Sequence, residues 1–344
     1  MRRFIPFAVG TAALALLAGC ENPAPLSAPP VVQQARSAVR NVSQSVTVGN
    51  IVLTDLGVLQ PGGFARATAI NNSGVIVGES GPFPPPCGCT WENGFTHGIV
   101  WDPTTQVMTD LGVSMAQYAG GMGSTASAIS SNGWIAGSGR DNYWSWEVSV
   151  LLFEPPTYTL TALSRALTAT DRQIHNYSNG INSSRLIVGS SDSFDAPRAF
   201  LWNGAVPGSV PNELMPLDPA GNAVANAIND AGLIVGSSYI LGQLHPVRWD
   251  ASSLTPTDLG LPPGWSGAVA SAINDAGLIA GYGRNSAGEE HGFVYDPASR
   301  RFTEIGSLGG AGSRAYGINS TGIVVGWAYT STGQKHPFAW DGAS

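Results

Sequence analysis

The stretch Ala-Asn-Ala-Ile-Asn-Asp-Ala-Gly-Leu-Ile-Val-Gly at residues 225–236 decides the fold, because it recurs along the chain. Small and larger residues alternate, Asn-Asp-Ala-Gly then forms a turn, and an apolar run follows, which is the pattern of a tight β-hairpin. The six copies are anchored by Ile70, Ile129, Ile181, Ile228, Ile273 and Ile318. Their spacings, by subtraction, are 59, 52, 47, 45 and 45 residues, a period typical of β-propeller blades.

A third and a fourth strand follow the hairpin, except in the sixth copy, which stops after its third strand. The third opens with His or Arg and ends on an aromatic residue and an acid, as in His245-Pro-Val-Arg-Trp-Asp250. The fourth carries Thr-Asp-Leu-Gly, as at residues 257–260. Four short antiparallel strands make one propeller blade. The sequence therefore predicts an all-β fold, a six-bladed β-propeller of four-stranded antiparallel blades.

The two ends of the repeat region are complementary. The sixth copy stops at Trp340-Asp341-Gly-Ala-Ser344, before any fourth strand, whereas residues 51–57 read Ile-Val-Leu-Thr-Asp-Leu-Gly with no blade ahead of them. We therefore expect the N-terminal strand, residues 50–57, to complete the last blade. That arrangement closes the ring and covers an exposed strand edge. It predicts a single domain over residues 48–344.

These strand motifs resemble the HAF repeat family, predicted extracellular repeats named for a His-Ala-Phe strand start. The resemblance covers residues 50–344, and the second copy lacks the strand start. The others read His97-Gly-Ile, Arg198-Ala-Phe, His245-Pro-Val, His291-Gly-Phe and His336-Pro-Phe. The resemblance implies an exported protein, and it supplies no catalytic residue to transfer.

The first residues have the organisation of an export signal. Two arginines precede an apolar run too short to span a bilayer, and Leu17-Ala18-Gly19-Cys20 follows. This end resembles a lipoprotein signal peptide (residues 1–19) with lipidation at Cys20, and the alternative is an ordinary signal with a chance cysteine. A Pro/Ala/Ser-rich tether at 20–47 follows. Glu21, which is not Asp, implies the outer membrane or cell surface by its resemblance to the enterobacterial sorting rule for lipoproteins.

Composition excludes several classes of partner and chemistry. Only 11% of residues are charged, 16 basic against 23 acidic, and no Lys/Arg cluster is present, which argues against nucleic acid. No motif for a nucleophile, a phosphate loop or a metal cofactor is legible, so we expect no cofactor. Cys87 and Cys89 lie in one proline-rich loop. Export favours their oxidation, and strain in a Cys-Gly-Cys bridge opposes it.

Four of the five histidines, His97, His245, His291 and His336, hold one repeat position. Metal ligands must lie about 2 Å from a single ion, whereas this position recurs in separate blades. We therefore predict no metal site, and expect each histidine to bond a group within its own blade. Arg198 at this position of the third copy agrees with that prediction, because an arginine can still donate a hydrogen bond but does not replace histidine as a metal ligand.

The loops that differ between copies carry the candidate binding residues. Exposed aromatic residues on loops of a rigid scaffold often bind ligands, and local packing of long loops is the alternative. The residues predicted to bind on this face are Trp91, Arg140, Asp141, Tyr143, Trp144, Trp146 and Trp265.

Two arginines occupy the same inner-strand position in the first and sixth copies, Arg66 and Arg314. Their guanidinium groups can take an anion or carboxylate, or neighbouring acids can neutralise them. We therefore expect a membrane-anchored, non-catalytic propeller that binds a glycan or a surface protein through its variable loop face. The alternatives are a hydrolase or lyase at the channel mouth near these arginines, and a structural component of the envelope.

Overall fold

The computed structural model describes residues 37–40, 45–48, 51–83, 95–112, 123–140, 148–164, 175–193 and 196–342. All regular secondary structure in these ranges is β-strand, which confirms the all-β prediction, and the strands pair antiparallel apart from parallel bridges at Val148–His175 and Leu308–Thr330. Within the same ranges there is no helix of the length and apolarity needed to cross a membrane.

The strands follow the repeated phrase, and each copy opens one repeat unit. Three short strands come first: β1 (Ser37–Arg40), β2 (Ser45–Val48) and β3 (Ile51–Thr54). Unit one comprises β4 (Phe64–Ile70), β5 (Ile76–Phe83), β6 (Phe95–Asp102) and β7 (Val107–Asp110). Unit two comprises β8 (Ser124–Ile129), β9 (Ile135–Arg140), β10 (Val148–Glu154) and β11 (Thr159–Ser164). Unit three comprises β12 (His175–Ile181), β13 (Leu186–Ser193), β14 (Ala196–Asn203) and β15 (Asn212–Glu213).

The remaining strands repeat this order. Unit four comprises β16 (Ala223–Ile228), β17 (Leu233–Ile240), β18 (Gln243–Asp250) and β19 (Pro256–Asp258). Unit five comprises β20 (Gly267–Ile273), β21 (Ile279–Arg284), β22 (Glu290–Asp296) and β23 (Arg301–Ile305). Unit six comprises β24 (Gly309–Ile318), β25 (Val324–Thr330) and β26 (Lys335–Trp340). Within the described residues, unit six therefore has three strands where the other units have four.

The N-terminal strands pair in a way the sequence did not predict. Strand β1 lies antiparallel on β7, as a fifth strand at the edge of unit one, although residues 37–40 fall in the predicted tether. Strand β2 pairs with β3, with Ser45 opposite Thr54. One edge of Ile51–Thr54, the strand expected to complete the last blade, is thus occupied by Ser45–Val48.

A β-bulge recurs in the first hairpin of every unit and explains the glycine of Ile-Val-Gly. In unit four the register runs Ala225↔Gly236 and then Ala227↔Val235, which leaves Asn226 as the extra residue. The bulge brings the two backbones so close that a Cβ on Gly236 would overlap the carbonyl oxygen of Val224. The equivalent glycines all meet a first-strand carbonyl in the same way: Gly78, Gly137, Gly189, Gly281 and Gly326.

The asparagine of the repeated phrase connects neighbouring units. Its Oδ1 accepts a backbone hydrogen bond inside its own turn, as Asn229 does from Leu233 N at 2.9 Å. Its Nδ2 donates to the equivalent carbonyl of the next unit, as from Asn229 to Asn274 O at 3.0 Å. The same amide bond runs from Asn71 to Ser130, from Asn182 to Asn229 and from Asn274 to Asn319. The phrase therefore encodes contacts between units as well as a hairpin.

The core lies between successive units. An apolar second-strand residue of one unit packs toward a small first-strand residue of the next, and every such residue has an exposed fraction of 0–2%. The five pairs are Val77 with Ala126, Ala136 with Ser178, Val188 with Ala225, Val235 with Ala270, and Ala280 with Ala315. The sixth pair is exposed: Val325 is 48% exposed on unit six, and Ala67 is exposed on unit one. The first and last units thus carry the same pattern of small and apolar residues, but no neighbouring unit among the described residues buries it there.

Candidate functional site

The repeated histidine position is part of the scaffold, as predicted. His97 Nδ1 lies 3.1 Å from the carboxylate of Asp110 in its own unit, and His245 Nδ1 lies 3.0 Å from that of Asp258. His291 and Glu304 form the same pair at 2.7 Å, and Arg198 with Glu213 at 3.1 Å. Each pair joins the third strand to the fourth. The described residues contain no group of three His, Cys, Asp or Glu side chains placed to hold a metal ion.

The predicted loop-face residues have different outcomes. Trp265 is buried, 8% exposed, with its ring packed edge-on against Phe293 at 6.1 Å, so its assignment to an exposed binding surface is wrong. Arg140 is the last residue of β9. The others lie outside the described residues: Trp91, Asp141, Tyr143, Trp144 and Trp146, together with Cys20, Cys87 and Cys89.

Both predicted arginines are paired with glutamates. Arg66 Nη2 lies 2.8 Å from Glu79 Oε1, on the neighbouring strand of unit one. Arg314 binds Glu290 through two hydrogen bonds, Nε to Oε2 at 2.7 Å and Nη2 to Oε1 at 2.6 Å. Because Glu290 belongs to β22, this bidentate pair joins units five and six. Of the two alternatives for these guanidinium groups, the structure therefore shows neutralisation by neighbouring acids, not a free anion site.

Arg314 is the centre of a group of aromatic and charged side chains, which we call the Arg314 cluster. Its guanidinium carbon lies 4.5 Å from the ring centroid of Tyr282 and 5.7 Å from that of Trp327. The cluster consists of Tyr282, Arg284, Glu290, Arg314, Tyr316, Trp327, Tyr329 and Lys335. It lies toward the end of these units that carries the loop between second and third strands, opposite the Asn-x-x-Gly turn.

The aromatic rings of the cluster hold one another in place. Tyr282 and Tyr316 meet edge to face at 5.9 Å, and Trp327 and Tyr329 at 5.1 Å. Trp327 Nε1 donates to the Tyr316 hydroxyl at 3.3 Å. Lys335 Nζ lies 4.0 Å above the centroid of the Trp327 ring. Tyr316 is 48% exposed, and the other three rings are half-buried, so the array is both ordered and accessible.

The Arg314 cluster carries more positive than negative charge. The hydrogen bonds from Arg314 lower the pKa of Glu290, and the charges of Arg314, Arg284 and Lys335 lower it further. Burial raises the pKa of Tyr282, so its hydroxyl stays neutral. Three cations therefore surround one carboxylate, which leaves the cluster with a formal charge of +2 at neutral pH.

Sequence reasoning identified Arg314 and missed the aromatic residues around it. Tyr282 and Trp327 occupy the position directly after the repeated glycine, where the first four copies have Glu79, Ser138, Ser190 and Ser237. Comparing this strand position between copies would have singled out the last two units.

Comparison with known proteins places the chain by its fold. No family model matches the sequence, and no curated protein matches it. A solved prolyl endopeptidase is 12% identical, with a TM-score of 0.55 over 87% of this chain and 42% of that chain. A puromycin-hydrolyzing peptidase of Mycobacterium tuberculosis is 13% identical, with a TM-score of 0.50 over 87% of this chain and 50% of that chain. TolB from Acinetobacter baumannii is 11% identical, with a TM-score of 0.45 over 77% and 65% of the two chains.

The two peptidase similarities show a β-propeller fold. The chain spans half or less of those two peptidase chains and 65% of the TolB chain. Identities of 11–13% carry no residue role across, so function has to be argued from this chain's own side chains.

Proposed function

We propose that this protein is an exported, lipid-anchored, non-catalytic β-propeller that binds a glycan at the loop-bearing end of its repeat units. The observation that supports this most is the Arg314 cluster at the junction of units five and six, in which Arg314 lies against the rings of Tyr282 and Trp327, and Tyr316 and Tyr329 pack on those rings. Sugars present apolar ring faces that pack on aromatic side chains, and hydroxyls that bond to polar groups. The cluster offers both in one place.

The order of the rings favours binding. Tyr282, Tyr316, Trp327 and Tyr329 are fixed by mutual edge contacts and by Arg314, so a ligand would not have to immobilise them. Pre-organised side chains reduce the entropy lost on association. A glycan is favoured over a surface protein because three of the four rings are half-buried, which suits a small ligand better than a flat protein surface.

The same geometry supports a binding role over catalysis near Arg66 and Arg314. A general acid needs a pKa near the working pH. The hydrogen bonds from Arg314 lower the pKa of Glu290, and the side chain is held in a bidentate pair. Glu79 is likewise paired with Arg66. A hydrolase or lyase would have to break these pairs before its first proton transfer, whereas a binding protein uses them as they stand.

Substituting Trp327 should abolish glycan binding. The full chain, purified in detergent, is applied to a glycan array alongside Trp327→Ala. We expect the parent to bind at least one glycan class and the variant to lose the signal, because the ring that contacts Lys335 and Tyr316 is gone.

Tyr239→Ala is the matched control, because Tyr239 is an aromatic residue of unit four, 43% exposed and outside the cluster. Its binding should equal that of the parent. A parent that binds no glycan contradicts the proposed function. Signal that survives Trp327→Ala and disappears in a Trp144→Ala, Trp146→Ala double variant moves the site to the variable loops.

We propose in addition that the fold is a closed six-bladed ring, completed by residues 50–57. At five junctions between units, an equivalent pair of small or apolar residues is buried. The sixth pair, Val325 and Ala67, is exposed on the two end units, and contact between these units would bury it. One edge of β3 pairs with β2, and its other edge is the one that would pair with β26. Unit one, where β1 lies on β7, offers a precedent for a fifth strand.

The segment after β3 supports closure by its local structure. Asp55 Oδ1 accepts from Gly57 N at 2.9 Å, as Asp258 Oδ1 at the end of the fourth strand of unit four accepts from Gly260 N at 2.8 Å. Leu59 N donates to Ser80 Oγ at 3.2 Å, 21 residues on, as Leu217 N donates to Ser238 Oγ at 2.9 Å over the same separation. Asp55 therefore occupies the fourth-strand acid position and, in the closed ring, would pair with His336.

The lipid anchor is a proposal that rests on Leu17-Ala18-Gly19-Cys20, outside the described residues. Several acyl chains on one cysteine would hold the protein at the outer membrane or cell surface, since two or more chains suffice for stable anchoring. Cys20→Ser should shift the protein from the membrane fraction to the soluble fraction of the expressing cells. Cys87→Ser should leave its fractionation unchanged. A Cys20→Ser protein that stays with the membrane contradicts the anchor.

A further inference from the structure

We infer that the Arg314 cluster recognises an acidic saccharide, one that carries carboxylate or sulfate groups on its sugar rings. This inference rests on the proposed glycan-binding function and names the class of glycan. It follows from the charges of the cluster, from how firmly each of them is held, and from their position beside the aromatic rings.

The cluster concentrates positive charge on an acidic protein. The whole chain has a formal net charge of −7. Arg284, Arg314 and Lys335 nevertheless all lie near Glu290, and all three lower its pKa. In the Arg66–Glu79 and Arg198–Glu213 pairs, by contrast, one arginine meets one carboxylate. A surplus of two positive charges in one place attracts an anionic ligand and orients it during encounter.

The three cations are held to different degrees, and this divides their roles. Arg314 is committed to Glu290 through two hydrogen bonds of 2.6 and 2.7 Å and is 30% exposed, so it positions the rings. Arg284 is 61% exposed and reaches Glu290 only at 3.8 Å. Lys335 is exposed and lies over the Trp327 ring at 4.0 Å. Arg284 and Lys335 therefore remain available to bind an anionic group of the ligand.

The aromatic rings specify a sugar rather than a free anion. Lys335 contacts the ring of Trp327, and Arg314 contacts the rings of Trp327 and Tyr282. A ligand that stacks on these rings thus brings its acidic substituents within reach of the cations. An inorganic anion would bind the cations without contacting the rings, and a neutral sugar would stack on the rings without pairing with the cations.

The test compares acidic and neutral saccharides of similar length. The full chain in detergent is titrated with alginate hexasaccharide, sulfated dextran oligosaccharide and unmodified dextran oligosaccharide. We expect binding to the first two, weakening as salt is raised. The double variant Arg284→Gln, Lys335→Gln should bind them about tenfold or more weakly, because two charge-assisted contacts are lost. The double variant Arg300→Gln, Arg301→Gln removes the same charge at exposed positions outside the cluster and should bind like the parent.

The outcomes separate this inference from the proposed function. Binding to dextran with no preference for the acidic saccharides keeps a glycan-binding protein and overturns the acidic class. Equal weakening by the two double variants, or equal binding of poly-glutamate, shows unspecific attraction to anions and also overturns it. Absence of binding to every saccharide here and on the glycan array overturns both.

Discussion

We expect Val325→Asp to lower the free energy of unfolding by about 3 kcal/mol or more, although Val325 is 48% exposed. At the five other units the equivalent residue is fully buried against the next unit: Val77, Ala136, Val188, Val235 and Ala280. If the ring closes as proposed, unit one covers Val325, and an aspartate there becomes a buried carboxylate without a partner. If the ring stays open, the carboxylate meets water and costs little.

The measurement is denaturant unfolding of the full chain with two control variants. Val235→Asp replaces a fully buried residue of unit four and sets the scale of a buried carboxylate. Val210→Asp replaces a residue that is 70% exposed in the connection between β14 and β15 and should change stability by about 0.5 kcal/mol or less. Closure predicts that Val325→Asp resembles Val235→Asp. A result close to that of Val210→Asp would show that the seam between units six and one is open to solvent.

Much of the fold could be predicted because the same hairpin sequence pattern occurs six times in the chain. Alternation in Ala225–Ile228 and the turn at Asn229–Gly232 specify a hairpin by local sterics, and the structure has β16 and β17 there. The bulge was not predicted, since alternation was interpreted as a regular strand and Asn226 is an inserted residue. Gly236 could have predicted the bulge, because a glycine inside a strand often marks a bulge or a close approach of another backbone.

The candidate site was only partly predictable, because its residues come from two units. Copy-by-copy comparison found Arg314, yet Glu290 and Tyr282 belong to unit five, and the sequence does not say which side chains of adjacent units meet. Trp265 shows the converse error. It lies in a connection between units, where an aromatic residue was expected to face solvent. Its indole is instead part of a buried apolar cluster and packs beside Phe293.

We expect Gly236→Ala to destabilise the protein by about 3 kcal/mol or more, a large effect for one added methyl group. The methyl would overlap the carbonyl oxygen of Val224 on the paired strand. No side-chain rotation relieves this overlap, because both partners are backbone or fixed to it. The hairpin must either spread, which breaks the pairing of Ala225 with Gly236, or lose its bulge, which turns Asn226 away from the Ala270 carbonyl it bonds at 2.9 Å.

Gly306→Ala is the matched control for this substitution. Gly306 follows a fourth strand and lies outside the left-handed region, and a methyl group added there would meet no atom within 4 Å. Alanine at this position should therefore be neutral or slightly stabilising. Both variants are compared with the parent by thermal and denaturant unfolding. If Gly236→Ala unfolds like Gly306→Ala, the two strands are not in bulged register. Because the same glycine recurs in all six hairpins, that result would remove the physical reason for its sixfold repetition.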